Sequence, residues 1–291
     1  MKRFDIIVIV LLGLAVLAEL LGVFETLQGG RPEPQIRRPA PEGDPLPPAD
    51  PDRDPVVLIE DGGPPQNSIG TAFSLDSDGL WMTARHVVDG CDRVGIVTGP
   101  QRAVPVERIW EDPVADLAIF QDALNRPALS LSERLPVLGE AAYGVGYPQG
   151  EPREVSGRLI GRGISQTRGR GTEEPILVWA EERRFPDFDG TLGGISGGPL
   201  LSYSGEVLGV ILSGSVRRGR FNTAAPEAVR TALAASRTDA DLQGREIDLA
   251  RDLDPETIRT QAERLRSEGT VSLVLCRVDG GARTGTRVRK G

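Results

Sequence analysis

Short apolar runs separated by turn signals limit what this chain can fold into more than any other feature. From Val56 onward, runs of four to eight residues rich in Val, Ile and Leu recur between glycine and aspartate turns: VVLIE at 56, IGTAFSL at 69, LWMTA at 80, RVGIV at 93, VERIW at 106 and DLAIF at 116. AAYGVGY at 141, REVSGRLIG at 153, PILVWAEE at 175, GPLLSYSGEVLGVILSG from 198 and GRFNTAA at 219 continue the series. Most are too short for helices and are spaced like antiparallel strands, with Ser204-Gly205 placed for a hairpin turn. The pattern predicts a mostly β fold, a barrel or sandwich of about a dozen strands. No repeat with a fixed period of about 20 to 50 residues is evident, which disfavours propellers and solenoids. With 39% hydrophobic residues in a chain of 291, there is enough apolar material for a sizeable core.

Helix signals come late. PEAVRTALAAS, from Pro226 to Ser236, opens on a proline suited to the first helical position. Asp254-Pro255 starts a second, PETIRTQAERLRSEG, which stops at Gly269 and leads into a strand, TVSLVLCRV. The basic tail GGARTGTRVRKG follows.

The N-terminus reads differently. Ile6 to Phe24 is a 19-residue apolar run broken only by Glu19 and preceded by Lys2 and Arg3. At about 1.5 Å per helical residue it matches the hydrocarbon thickness of a bilayer, and its positive flank keeps the N-terminus in the cytoplasm. The expectation is a membrane anchor; a signal peptide cleaved near Val16-Leu17-Ala18 is the alternative. Both export the remainder to the periplasm or cell exterior. Residues 31–55 carry nine prolines in 25 positions and read as a stiff tether. The expected organisation is therefore an anchor or signal segment over 1–30, a Pro-rich linker over 31–55, a catalytic domain over 56–237 and a C-terminal extension over 238–291. Only Cys91 and Cys276 occur, and an oxidising compartment allows one disulfide between them. Two buried free thiols are the other possibility.

Composition narrows the chemistry. The formal charge of −8 supplies no overall positive field for nucleic acid. No GxxxxGK[ST] phosphate loop occurs, and one histidine with two distant cysteines does not make a zinc site of usual composition, so neither cofactor nor metal is expected. Glu181, Glu182, Arg183 and Arg184 read as a solvated strand edge.

His86 is the sole histidine, and it follows a strand in TARHVV. Asp116 opens the apolar strand DLAI, and Ser196 lies in the glycine-rich turn GGISGGPL. A serine hydroxyl needs an imidazole to take its proton, and the imidazole needs a buried carboxylate on its other nitrogen to fix the tautomer. Asp116 suits that role better than Asp112, which stands beside Pro113 in an apparent turn. The glycines around Ser196 allow the N–H groups of Gly194 and Ser196 to converge on one spot as an oxyanion hole.

TARHVV, DLAI and GISGGPL resemble the three motif blocks of chymotrypsin-like serine proteases, and more closely the exported bacterial HtrA-type branch. The resemblance covers about Val56 to Ser236, including FNTAAPEAV. It implies two antiparallel six-stranded β-barrels followed by a C-terminal helix. His86 and Asp116 would lie on the first barrel and Ser196 on the second, forming an endopeptidase site for polypeptide substrates. Gly190 would form the base of the specificity pocket, with Ser213 and Gly214 as a wall, favouring small or medium apolar residues before the cut. Three departures stand out: Ile195 precedes the serine where related proteases carry Asp or Asn, no Ile-Val-Gly-Gly start is present, and the last 55 residues do not match a PDZ domain.

Overall fold

The computed structural model describes residues 41–60, 66–122, 124–168, 173–215, 218–236, 247, 249 and 252–279. The expected anchor or signal segment over 1–30 lies outside these residues. Among the described residues, no helix is long and apolar enough to cross a membrane.

The fold is mostly β, as the short runs predict. Among the described residues, fourteen strands form two seven-stranded sheets. The first contains β2 (Ser68–Ser74), β3 (Leu80–Thr83), β4 (Arg93–Gly99), β5 (Arg102–Pro105), β6 (Arg108–Glu111), β7 (Ala118–Gln121) and β14 (Val271–Arg277), in the order β5-β4-β14-β2-β3-β7-β6. It curls into an open half-barrel. The second contains β1 (Val56–Glu60), β8 (Ala141–Gly146), β9 (Arg153–Arg168), β10 (Glu173–Phe185), β11 (Pro199–Leu201), β12 (Val207–Ser215) and β13 (Arg220–Ala224). Pairing of β8 with β9 closes six of these into a barrel, and β1 lies parallel to β9 outside it.

Alternation along the strands explains the cores. In β12, Val207, Leu208, Val210, Ile211 and Leu212 are all buried, and they pack with Trp179 and Phe221 or with the inner face of the first sheet. The stacked pairs Trp81–Phe120 and Trp179–Phe221 fill the centres of the first and second sheets. The Ser204-Gly205 turn joins β11 to β12, with Gly205 at φ +85°.

Three short helices are described. α1 (Arg85–Val88) follows β3, α2 (Pro226–Ala235) leaves β13, and α3 (Ile258–Ser267) precedes β14. β14 is paired on both sides, with β2 through Val271 to Cys276 and with β4 through Val274 to Arg277. The C-terminal strand therefore sits inside the first sheet. Cys91 and Cys276 form a disulfide with Cα atoms 5.5 Å apart, across 185 residues of chain. α3 faces the other way: Arg266 donates to Glu154 Oε1 at 2.6 Å and to the carbonyls of Gly146 and Arg153 at 3.0 and 2.9 Å. Burial pushes the Glu154 carboxyl up, and Arg266 opposes that shift.

The described part of the Pro-rich segment forms neither helix nor strand, in keeping with its prolines. It is nonetheless docked: Leu46 packs on the second core, and the Asp44 and Pro55 carbonyls accept from Leu138 N and Ile164 N.

Candidate active site

The site is assembled where the two sheets meet. β3 ends at Thr83, whose hydroxyl donates to the Thr71 carbonyl at 2.7 Å, and the chain turns through extended Ala84 into α1. Asp116 fixes that turn at three points. Its carbonyl accepts from Arg85 N at 3.1 Å, its Oδ1 accepts from His86 N at 2.9 Å, and its Oδ2 lies 2.6 Å from His86 Nδ1. This geometry leaves Nε2 as the outward nitrogen of the ring. Asp116 is 14% exposed at the side chain and His86 49%. Leu117 to Phe120 are buried beneath it, as the sequence pattern predicts.

Asp112 holds the turn before Asp116 by accepting from Val114 N and Ala115 N, and its carbonyl accepts from the buried Arg85 guanidinium. It does not reach the imidazole. The protein packed around His86 disfavours the imidazolium; the Asp116 charge, its hydrogen bond and the Glu174 charge outweigh this, and the pKa is raised above 6.5.

Ser196 lies in the loop between β10 and β11. Its carbonyl accepts from Thr71 N at 2.8 Å, and a Cβ added at Gly197 would stand 2.8 Å from Ala84 N, two residues before His86. The serine loop thus rests on the junction that carries the histidine. The Ser196 hydroxyl itself donates to the Leu212 carbonyl at 3.1 Å rather than to the imidazole.

Around it, most backbone donors are used: Gly193 N bonds Thr191 Oγ1, Ile195 N bonds Leu192 O, Gly197 N bonds Ile211 O and Gly198 N bonds Ile195 O. Among the described residues, Gly194 N and Ser196 N have no acceptor. Buried amides are rarely left so, and an incoming oxyanion would satisfy both. Gly194 has φ +101°, and a Cβ there would lie 2.4 Å from the Tyr147 carbonyl, so glycine is required.

Ile195 is 1% exposed and packs into the second core. Gly144 and Gly146 make room for it, since a Cβ at Gly146 would lie 2.8 Å from Ile195 Cγ1. The apolar side chain anchors the loop where a charged residue would need a buried partner.

Two supporting residues carry no sequence signal of their own. Thr71 stitches the first sheet to the loop: its hydroxyl donates to Gly194 O at 2.8 Å and accepts from Tyr147 N at 3.1 Å. Gln149, at φ +58°, clamps the loop from the second barrel. Its N donates to Gly193 O at 2.6 Å, and its Nε2 donates to the carbonyls of Asp189 and Thr191 at 3.0 and 3.2 Å. A buried threonine within the apolar run IGTAFSL is the one hint the sequence holds.

Gly190 has φ +95° and faces the Gln149 side chain, while Gly214 faces Leu192. Ser213 Oγ accepts from Asn222 Nδ2 at 3.0 Å. Asp189 is exposed. The expected solvated edge is only half so. Glu182 and Arg183 are exposed, but Glu181 and Arg184 form an ion pair whose side chains are 12% and 13% exposed. Arg184 also donates to the carbonyls of Phe188 and Gly190. A bulge in β10 between Glu181 and Arg183 breaks the alternation and brings these two charges to the same side, where Arg184 supplies donors to the loop carbonyls.

A family model described as "Trypsin-like peptidase domain" matches residues 70–210, the span that contains His86, Asp116 and Ser196. The chain contains a trypsin-like peptidase domain. Over 148 residues the chain is 33% identical to a protein of Halomonas elongata named "periplasmic serine endoprotease DegP-like", covering 50% of this chain and 29% of that one. It is likewise 33% identical over 151 residues to the serine protease HhoB of Synechocystis sp., covering 50% and 35%. The chain thus spans about a third of the length of the relatives that it matches. Among solved structures, the active form of the Rv3671c protease from M. tuberculosis aligns with a TM-score of 0.49 at 18% identity, over 74% of this chain and 99% of that one. In this chain the peptidase domain has an additional partner, because β14 lies beyond its matched span yet pairs with two of its strands.

Proposed function

We propose that the protein is a serine endopeptidase acting on polypeptides in the cell envelope. In this reading Ser196 attacks the scissile carbonyl, His86 accepts the serine proton and later passes it to the leaving amine, and Asp116 holds the tautomer and stabilises the imidazolium. The amides of Gly194 and Ser196 receive the oxyanion, and an acyl-enzyme forms and is hydrolysed. The observation that carries the reading is the Asp116–His86 pair lying against a serine loop with two unengaged amides. Rotation about the Ser196 Cα–Cβ bond, releasing Leu212 O, turns the hydroxyl toward the imidazole.

With Gly190, Ser213 and Gly214 assigned to the specificity pocket by resemblance, small or medium apolar residues are favoured before the cut; Ser213 Oγ is paired with Asn222 Nδ2, and Asp189 is exposed. Export rests on the apolar N-terminal run and on the periplasmic naming of the Halomonas elongata relative. The domain boundaries at 30, 55 and 237 belong to the same reading. The test is hydrolysis of a peptide library by the full chain and by Ser196→Ala. Cleavage after small apolar residues that disappears in the variant supports it; equal turnover by both proteins refutes it.

A further inference from the structure

Behind Asp116 stands a second carboxylate that this mechanism leaves unused. Glu174 is the second residue of β10 in the second barrel, is 6% exposed, and its Oε2 accepts from Asp116 N at 2.6 Å. A residue of one half of the domain thereby bonds the main chain of the acid in the other. We propose that Glu174 is a positioning residue that holds Asp116 in place across the interface and couples the charge on His86 to its own. The inference rests on the peptidase reading above.

Two observations favour this over a purely structural tie. The first is the company the group keeps. Asp116 and Asp112 face it from the turn before β7, and Arg85 and His86 from α1; three carboxylates thus share one arginine and one histidine. Arg85 and the imidazolium are the cations that answer the combined negative charge, so a change in the charge of Glu174 is felt at His86. The second is where Glu174 titrates. Burial pushes its carboxyl up, the Asp116 and Asp112 charges push it further, and the Asp116 N–H and Arg85 oppose them, leaving it at about 7. The charge of Glu174 is among those that raise the His86 pKa, so the two titrations are coupled.

The sign follows directly. Ionised Glu174 stabilises the imidazolium and so raises the His86 pKa. Removing its charge lowers that pKa, leaving the imidazole neutral, and able to act as a base, at more acidic pH.

Because His86 is the sole histidine, the imidazole of the full chain gives a single NMR signal that can be followed with pH without substrate. In the wild type we expect a midpoint above 6.5 with a second inflection near 7 from Glu174. Glu174→Gln keeps an acceptor for Asp116 N and loses the charge. Its titration should collapse to one inflection at lower pH, and the acid limb of kcat/KM should move the same way. Glu174→Ala, which loses the acceptor too, should in addition lower kcat about tenfold, the order of one lost hydrogen bond. Superimposable imidazole titrations for wild type and Glu174→Gln overturn the proposal. If Glu174→Gln fails to fold, the wild-type curve alone decides, and one-site behaviour overturns it. A shifted imidazole in a protein that hydrolyses no peptide counts against the peptidase reading and leaves the coupling standing.

Discussion

The two halves of the catalytic domain solve the edge problem of a β-sheet in different ways. The second closes on itself: β8 pairs with β9, six strands form a ring, and every ring strand comes from one continuous stretch between Ala141 and Ala224. The first stays open and takes an interior strand from a distant part of the chain. β14 separates β2 from β4, with more than 170 residues between it and the nearer of them in sequence. Closure satisfies backbone groups through nearby chain, whereas insertion of a distant strand makes the folding of one half depend on completion of the other. The site inherits this asymmetry. His86 and Asp116 stand on the borrowed sheet, while Ser196, Gly194 and their clamp Gln149 stand on the self-contained one.

The strongest way to break the comparison is to remove the borrowed strand. A chain ending at Gly269 should lose peptidase activity to background. Hydrogen exchange should show β2, β3, β4 and β7 losing protection while β8 to β13 keep theirs, since only in the first sheet do two strands, β2 and β4, each lose one partner and the sheet splits between them. Equal loss in both sheets would make the asymmetry fictitious. Next in size is the tie from α3 to the closed barrel. Arg266→Met strands Glu154, 2% exposed, without its cation, and should cost about 3–5 kcal/mol in denaturant unfolding. Restoration by a second change, Glu154→Gln, would confirm that the stranded carboxylate is the cause.

The disulfide sharpens the same point at smaller cost. Replacing Cys91 and Cys276 together by serine should destabilise the fold by about 2–4 kcal/mol, since β14 keeps both neighbours when the crosslink closing 185 residues is gone. The loss should appear in the exchange of the first sheet and spare the second. Smallest is the seam between the halves at the oxyanion loop. Thr71→Val removes the hydroxyl that joins β2 to Gly194 and Tyr147 while keeping the shape, and should lower kcat about tenfold with little change in KM. An unchanged kcat would mean that Gln149 alone holds the loop.

The same asymmetry separates what the sequence makes legible from what it does not. Strands of the closed barrel, the Ser204-Gly205 turn and the two ten-residue helices α2 and α3 follow from alternation, proline and glycine, which act locally. TVSLVLCRV reads as a strand for the same reason. Its place between β2 and β4 does not, because strand pairing over such a separation is decided by tertiary packing that no local pattern encodes. His86, Asp116 and Ser196 are legible because each has an unusual neighbourhood. Thr71, Gln149 and Glu174 are ordinary residues in ordinary segments, and their roles come only from what the fold brings beside them. Glu181 and Arg184 show the converse: four charges in a row look solvated until a bulge in β10 turns two of them inward onto the 188–190 loop.

The central claim is that an activated serine stands at the seam between the two sheets, and reaction of the full chain with a fluorophosphonate probe, located by mass spectrometry, tests it most directly. The account predicts a single adduct on Ser196 that is lost in His86→Ala and strongly slowed in Asp116→Asn. Folded protein that takes up no probe, or that labels at the same rate without its histidine, would contradict it.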